Sequence, residues 1–277
     1  MSRYYLFKKN KDKTERKFIS YLKGVEIFPN VVRTSYKGKI SSIEGYDSGF
    51  WWIQDIGSYI QFEILLKKMT TNFKNFNIKN INVLDLCAAP GGKTTQILDS
   101  GMNVLSLDNN LNRIKIMIQN LKRLQLKSTI VCHDATKIKV KKKFDVIIVD
   151  APCSSTGTIR KNPDILLRNK PSNCKNLIET QMKILSNANK LLKKNGMLMY
   201  IVCSLEKIES EKIIKDFCNQ NKNFQIIPIS RSDLDFKKMS ILTSDGFLRL
   251  LPNSLIFSKN KLLNGSDGFF SAILRKN

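Results

Sequence analysis

The stretch Asn82-Val83-Leu84-Asp85-Leu86-Cys87-Ala88-Ala89-Pro90-Gly91-Gly92-Lys93-Thr94-Thr95-Gln96 decides the fold. An apolar run with the character of a buried strand meets a turn of small residues, Pro and paired Gly, and a helical pattern begins at Lys93. Strand, tight Gly loop and helix in that order are how an open α/β sheet builds a nucleotide site. Gly91 and Gly92 carry no Cβ, so a ligand can approach the backbone closely. The helix N-terminus behind them offers unpaired N–H groups. A Walker-type phosphate loop is a weak match: Gly92-Lys93-Thr94 has its ending, but the earlier Gly that such a loop requires is missing. Asp108, closing Asn103-Val104-Leu105-Ser106-Leu107-Asp108, stands where an acidic residue would grip a ribose diol. An adenosine-type cofactor without a dominant phosphate contact is the better reading.

Outward from this loop, strand and helix signals alternate as a doubly wound, mostly parallel Rossmann-like α/β sheet requires. Strands are expected at 104–108, 128–132, 144–149, 197–202, 224–229 and 269–274, and helices at 58–72, 111–124 and 175–192, with a weaker one at 206–218. Residues 231–268 read as irregular, and the lysine run 139–143 as a solvated turn. The first 57 residues read as a small α+β segment rich enough in Lys and Arg to touch RNA, with short strands near 4–7, 31–32 and 50–53 and a polar helix near 14–23. The expected division is thus 1–57 and a catalytic domain at 58–277. Ligands of such sheets collect at the carboxyl edge of the strands. There the chain delivers Asp85, Asp108, His133-Asp134, Asp150-Ala151-Pro152-Cys153 and Cys203-Ser204. Asp134 suits an adenine amino group; His133 is assigned no role.

Lys and Arg number 47 against 23 Asp and Glu, a formal balance of +24 in 277 residues. That surplus points to a polyanionic partner, nucleic acid first, although a compositional bias toward Lys, Asn and Ile would also raise it. The 42% hydrophobic content suffices for a core. Residues 1–20 have no signal-peptide core and no apolar run reaches the roughly 18 residues of a membrane span, so a cytoplasmic protein is expected. Its six cysteines (Cys87, Cys132, Cys153, Cys174, Cys203, Cys218) form no C-x-x-C pair. They read as thiols, and no metal is expected.

Cys153 and Cys203 are the informative pair, since each follows one of two neighbouring strands beside the cofactor loop. A thiolate is a strong nucleophile whose pKa falls near helix N-termini or positive charge. Thiols and an adenosine cofactor together suit methyl transfer to C5 of a pyrimidine. Thiolate addition to C6 makes C5 enamine-like, C5 takes the methyl group of S-adenosylmethionine, and loss of the C5 proton lets the thiol leave. Asp150 is placed to balance charge at N3 of the ring, and the base must leave its stack to be reached.

These residues carry a resemblance. The chain is similar to the Sun/Fmu-type ribosomal RNA cytosine-C5 methyltransferases, the bacterial branch of the RsmB/NSUN family. The similarity rests on Asp85 to Thr94, Asp150-Ala151-Pro152-Cys153-Ser154-Ser155-Thr156-Gly157 and Cys203-Ser204, with Gln54-Asp55, Arg160, Pro163-Asp164 and Asp267-Gly268-Phe269-Phe270 in support. It runs from about residue 45 to the end. The resemblance implies a class I S-adenosylmethionine-dependent fold, nucleophilic attack by Cys203 and release of the product by Cys153. DNA cytosine methyltransferases, by contrast, use the Cys of a Pro-Cys pair, here Cys153. It further implies cofactor contacts from Cys87, Ala88, Ala89, Pro90, Gly91, Gly92, Lys93, Asp108, Arg113 and Asp134, and a hold on cytosine by Asp150, with Lys93 on the cofactor or on Asp150. The chain departs from the pattern in Val202, where Thr is frequent, and in His133-Asp134, where Gly-Asp is common. Bacterial members begin with a helical NusB-like RNA-binding domain that the resemblance does not cover, so a ribosomal particle or a partner standing in for that domain is an expected contact. The implied substrate is small-subunit (16S) ribosomal RNA. A transfer-RNA enzyme of the same chemistry and a non-catalytic RNA-binding assembly factor are the alternatives. Arg160, Lys161 and Arg168 are the candidates for RNA contacts near the target base.

Overall fold

The computed structural model describes residues 3–8, 22, 24–168, 171–234, 241–257, 259 and 264–277. The helix expected near 14–23 lies outside them, Leu22 excepted. Four short strands, β1 (Arg3–Phe7), β2 (Val25–Phe28), β3 (Val31–Thr34) and β4 (Trp51–Ile53), form an antiparallel sheet in the order β2-β3-β1-β4. β2 has no strand signal of its own and is recruited by pairing with β3. Alternation along β1 splits its side chains between two layers: Tyr5 and Phe7 pack with Val32 and Trp51, while Tyr4 and Leu6 join the core of the larger sheet. The small sheet is thereby fused to the larger one.

The larger part runs α1 (Ile56–Asn72), β5 (Asn82–Leu86), α2 (Gly92–Asp99), β6 (Asn103–Asp108), α3 (Leu111–Arg123), β7 (Thr129–Cys132), β8 (Phe144–Asp150), α4 (Ile165–Arg168), α5 (Pro171–Leu191), β9 (Leu192–Val202), α6 (Glu211–Gln220), β10 (Phe224–Ile226), β11 (Leu248–Leu250) and β12 (Phe269–Lys276). The strand order is β10-β12-β9-β8-β5-β6-β7, with β11 beside β12. Strands β5 to β9 are mutually parallel, whereas β12 runs antiparallel to β9. The order reverses between β5 and β8, and the crevice beyond their carboxyl ends is where ligands bind in such sheets.

Both faces of the sheet are covered, which is why its strands read as continuous apolar runs. Val146, Ile148, Met197, Met199 and Ile201 point into the layer under α1. Ile147, Val149, Leu198, Tyr200 and Val202 point to the other face, against Ile184, Leu185 and Ala188 of α5 and Ile213, Ile214 and Phe217 of α6. Helix α1 starts where the Asp55 side chain accepts from Gly57 N at 2.9 Å, an N-cap.

Three expectations are corrected by the structure. The helix expected over 206–218 begins only at Glu211: residues 207–209 form a 3₁₀ turn, and Ser210 at φ −123°, ψ −101° interrupts the helical path. The strand expected over 224–229 ends at Ile226, beyond which Ile227 N donates to Ile273 O and Ile229 N to Gly246 O. Asp85, expected at the ligand edge, lies inside β5 and is fully buried. Its Oδ2 accepts from Thr94 Oγ1 at 2.6 Å, tying strand to helix α2 under the Gly loop, and its Oδ1 has no partner. Burial pushes the Asp85 carboxyl up from 3.8 to about 7.

A carboxyl that holds its proton to about pH 7 in the folded chain, but only to 3.8 when unfolded, stabilises the fold at low pH. That contribution is lost as pH rises through the folded value. The melting temperature is therefore expected to carry a downward component between about pH 4 and about pH 7. Asp85→Asn, which still accepts from Thr94, should flatten it, and thermal melts of both proteins across that range check this.

Candidate active site

The loop from β5 to α2 turns sharply because Cys87 and Gly91 both take positive φ, 60° and 99°. Gly91 N donates to Ala88 O at 2.9 Å, and Ala88 N to Leu107 O at 2.9 Å on the neighbouring strand. A Cβ on Gly91 would lie 2.7 Å from Met117 Cγ, so this position requires glycine twice over, for conformation and for space. Asp108 ends β6 almost buried. Its Oδ2 accepts from Ala89 N at 3.0 Å and its Oδ1 from Asn110 N at 2.9 Å. Arg113 lies 3.6 Å from Asp108 Oδ2 and donates to Ala89 O, clamping the loop from outside.

A cavity of about 380 Å³ opens beside Cys87 at the head of this loop, with Asp108, Arg113, Asp134, Asp150, Cys153 and Cys203 in its wall. His133, given no role, lines it as well. Pro90, Gly91 and Gly92, expected to contact the same cofactor, instead line a separate cavity of about 260 Å³ with Trp51 and Trp52. Asp134 accepts from Thr136 N at 2.8 Å and Thr136 Oγ1 at 2.7 Å through Oδ1, and these bonds hold its carboxyl below the usual range. Asp134 Oδ2 meets only Lys137, at 3.9 Å. Each carboxylate oxygen of Asp108 keeps a lone pair for a hydroxyl, and Asp134 Oδ2 keeps its own for an amino group. This set of acceptors fits an adenosine.

On the far side of the cavity, Lys93 at the start of α2 is 6% exposed and donates to Asp150 Oδ2 at 2.7 Å and to Ser58 Oγ at 3.0 Å. Asp150 is the last residue of β8. The sequence left Lys93 between cofactor and Asp150; the structure pairs it with Asp150. Ser58 carries no sequence signal for this role, since it enters from the first turn of α1.

Cys153 follows β8 and Cys203 follows β9, and their Sγ atoms lie 3.4 Å apart. Cys203 Sγ is also 3.4 Å from Ser155 Oγ. The hydrogen bond from Cys153, helped by Ser155 and by the Lys93 charge, holds the Cys203 thiol below its ordinary value against the pull of burial. The same bond and burial push Cys153 well above it. The two thiols are thus shifted in opposite directions, Cys203 down and Cys153 up. Cys87 is pushed up to about 12 by burial and the surrounding carboxylates and stays a thiol.

The cations expected to reach for RNA are differently employed. Lys161 pairs with Asp55 and Asp267 at 2.8 and 2.7 Å, and Arg160 with the same two at 3.7 and 3.4 Å. They strap the loop after β8 to the entries of α1 and β12. The Arg168 side chain lies outside the described atoms. Glu209, within the stretch read only as a weaker helix, is fully buried beneath the two cysteine loops.

Residues 74–275 match the family described as 16S rRNA methyltransferase RsmB/F. The chain belongs to the RsmB/F methyltransferase family. It is 36% identical over 204 residues to ribosomal RNA small subunit methyltransferase B of Pasteurella multocida, covering 70% of this chain and 42% of that protein. It is 32% identical over 247 residues to the probable ribosomal RNA small subunit methyltransferase B of Bacillus subtilis, covering 87% and 51%. The chain thus spans about half the length of the curated relatives it matches. Among solved structures, a methyltransferase homolog protein from Pyrococcus horikoshii superposes with a TM-score of 0.74 at 22% identity, over 100% of this chain and 87% of that one, and shows the same fold. NSun6 from Pyrococcus horikoshii, solved with SFG, an analogue of S-adenosylmethionine, superposes with a TM-score of 0.69 at 26% identity, over 87% and 56%. The cofactor of this RsmB/F domain is S-adenosylmethionine, in keeping with the acceptors above.

Replacing Gly91 by Ala should strain the loop by about 1–3 kcal/mol. Lower melting temperature together with weaker S-adenosylmethionine binding, read by calorimetry, is the expected outcome.

Proposed function

We propose that the chain transfers the methyl group of S-adenosylmethionine to C5 of cytosine in small-subunit ribosomal RNA, with Cys203 as nucleophile. The observation that carries this reading is the pair of sulfurs 3.4 Å apart at the wall of the cofactor cavity, with Asp150 and Lys93 beside them. The cofactor, when bound, supplies an electrophilic methyl group. Cys203 adds as thiolate to C6, forming the S–C6 bond and placing electron density on C5, which takes the methyl group. A proton shared between the Asp150 carboxyl and N3, with the Lys93 ammonium 2.7 Å from that carboxyl, balances the charge that builds on the ring. A base takes up the C5 proton, the C5–H electron pair forms the C5–C6 double bond, the S–C6 bond breaks with its pair going to sulfur, and Cys203 leaves as thiolate. Cys153 assists this release.

The asymmetry of the pair supports that order, since the thiol held low adds and the one held high carries a proton. Ribosomal RNA as substrate is supported by the names of the relatives and of the family. The cytosine-C5 product is supported by the chemistry that two thiols at a methyl-donor site permit.

Cys203→Ala is expected to abolish methylation of small-subunit ribosomal RNA. Cys153→Ala is expected to leave a covalent RNA adduct that survives denaturing electrophoresis. An adduct formed by the Cys203 variant instead reverses the roles, and bisulfite sequencing of the product reads the position. RNA affinity should also fall with salt, with a log–log slope of about −0.7 per phosphate contact if exposed lysines dock the strand. A flat response in filter binding removes the basic surface from the proposal.

A further inference from the structure

Glu209 is fully buried in the 3₁₀ turn between β9 and α6, and its partners are neutral. Oε1 accepts from Ser154 N at 3.0 Å and from Gln181 Nε2 at 3.2 Å; Oε2 accepts from Ser204 Oγ at 2.6 Å and from Ser154 Oγ. Burying a carboxylate is costly unless its oxygens are filled, and here the donors come from three places. Ser154 adjoins Cys153, Ser204 adjoins Cys203, and Gln181 of α5 also donates to Pro152 O at 2.9 Å. The two hydroxyls lie 3.0 Å apart across the carboxylate. Nothing in the reaction described above uses this group.

We propose that Glu209 is the positioning residue of the site, a buried carboxylate that locks the loops after β8 and β9 together and so holds Cys153 opposite Cys203. The two loops leave different strands, and sheet pairing ends at Asp150 and Ile201. From there to the sulfurs, the backbone ties are Ala151 N to Ile201 O and Gly157 N to Cys203 O, both 2.9 Å. Glu209 bridges the interval between those two ties from below, one residue from each sulfur. Tyr200 Oη donates to the backbone Glu209 O at 2.8 Å, which fixes the turn carrying the carboxylate against the strand that delivers Cys203. After the bond to Cys203 and burial, the nearby carboxylate adds to what raises the Cys153 thiol.

This inference rests on the methyltransferase reading, so its test uses one readout that depends on turnover and one that does not. In the second, diamide oxidises the folded protein: two thiols lose their protons and two electrons to the diazene, which becomes a hydrazine, and a Cys153–Cys203 disulfide forms. Mass spectrometry of the linked peptide follows its rate. In Glu209→Ala, cross-linking is expected to slow at least tenfold. Its kcat on ribosomal RNA should fall by about 10²-fold, the scale of an ångström misplacement, with S-adenosylmethionine affinity unchanged. Glu209→Gln, which keeps the shape of the side chain and an acceptor oxygen for the serine hydroxyls, is expected to restore cross-linking and most of kcat. Should Glu209→Ala not fold, the Ser154→Ala/Ser204→Ala double variant removes both hydroxyl ties and is expected to show the same two losses. Wild-type cross-linking and turnover in Glu209→Ala or in the double variant overturn the proposal, as does a Gln variant that cross-links no faster than Ala. If the wild-type chain methylates no RNA, the functional reading fails while the cross-linking comparison still decides the role of Glu209.

Discussion

The parallel register between Phe144–Asp150 and Leu192–Val202 is the constraint on which the site depends. Val146 pairs with Met197 and Asp150 with Ile201, so Cys153 leaves its strand three residues on and Cys203 two residues on, at the same edge. A slip of one residue would turn every side chain of one strand to the opposite face. That is prevented by packing on both sides: Met197, Met199 and Ile201 are needed in one layer, Leu198, Tyr200 and Val202 in the other, and all six are buried. The Tyr200 hydroxyl would lose the Glu209 carbonyl in such a slip. The precision at the sulfurs is thus inherited from the hydrophobic core.

Electrostatics divides the molecule in two. The chain as a whole is strongly basic, yet around the cavity each cation meets a carboxylate: Lys93 with Asp150, Arg113 with Asp108, and Arg160 and Lys161 with Asp55 and Asp267. Pairing of this kind leaves fixed groups, rather than bulk water, to meet any charge that builds in the cavity. The surplus lies outside, on residues such as Lys115, Lys122, Lys141, Lys142 and Lys143, all exposed. Those stand in solvent, while the paired cations shape the site. Among the described residues, no helix is long and apolar enough to cross a membrane.

Much of the site was legible because its signals are local. A Gly pair between an apolar run and a helical pattern, an acid at the end of the next strand and a thiol after each of two strands all appear within short windows. The failures are equally physical. Asp85 looked like an edge carboxylate because sequence does not say whether a strand's penultimate residue faces ligand or core; burial and Thr94 put it in the core. Arg160 and Lys161 looked free because their partners, Asp55 and Asp267, are each more than a hundred residues away. Glu209 sat in a stretch read only as a weak helix, and only the fold turns it inward.

By itself the sequence determined the alternation of buried strands and amphipathic helices, the glycine turn that a nucleotide can approach, and the set of side chains delivered to one edge. Each of these comes from propensity and periodicity over a few consecutive residues. The tertiary structure decided how closely the two sulfurs approach, which carboxylate Lys93 answers to, and what buried group spans the two cysteine loops. Those depend on distances of about 3 Å between residues some fifty positions apart. Such distances exist only once two packed faces have fixed the register of the strands between them.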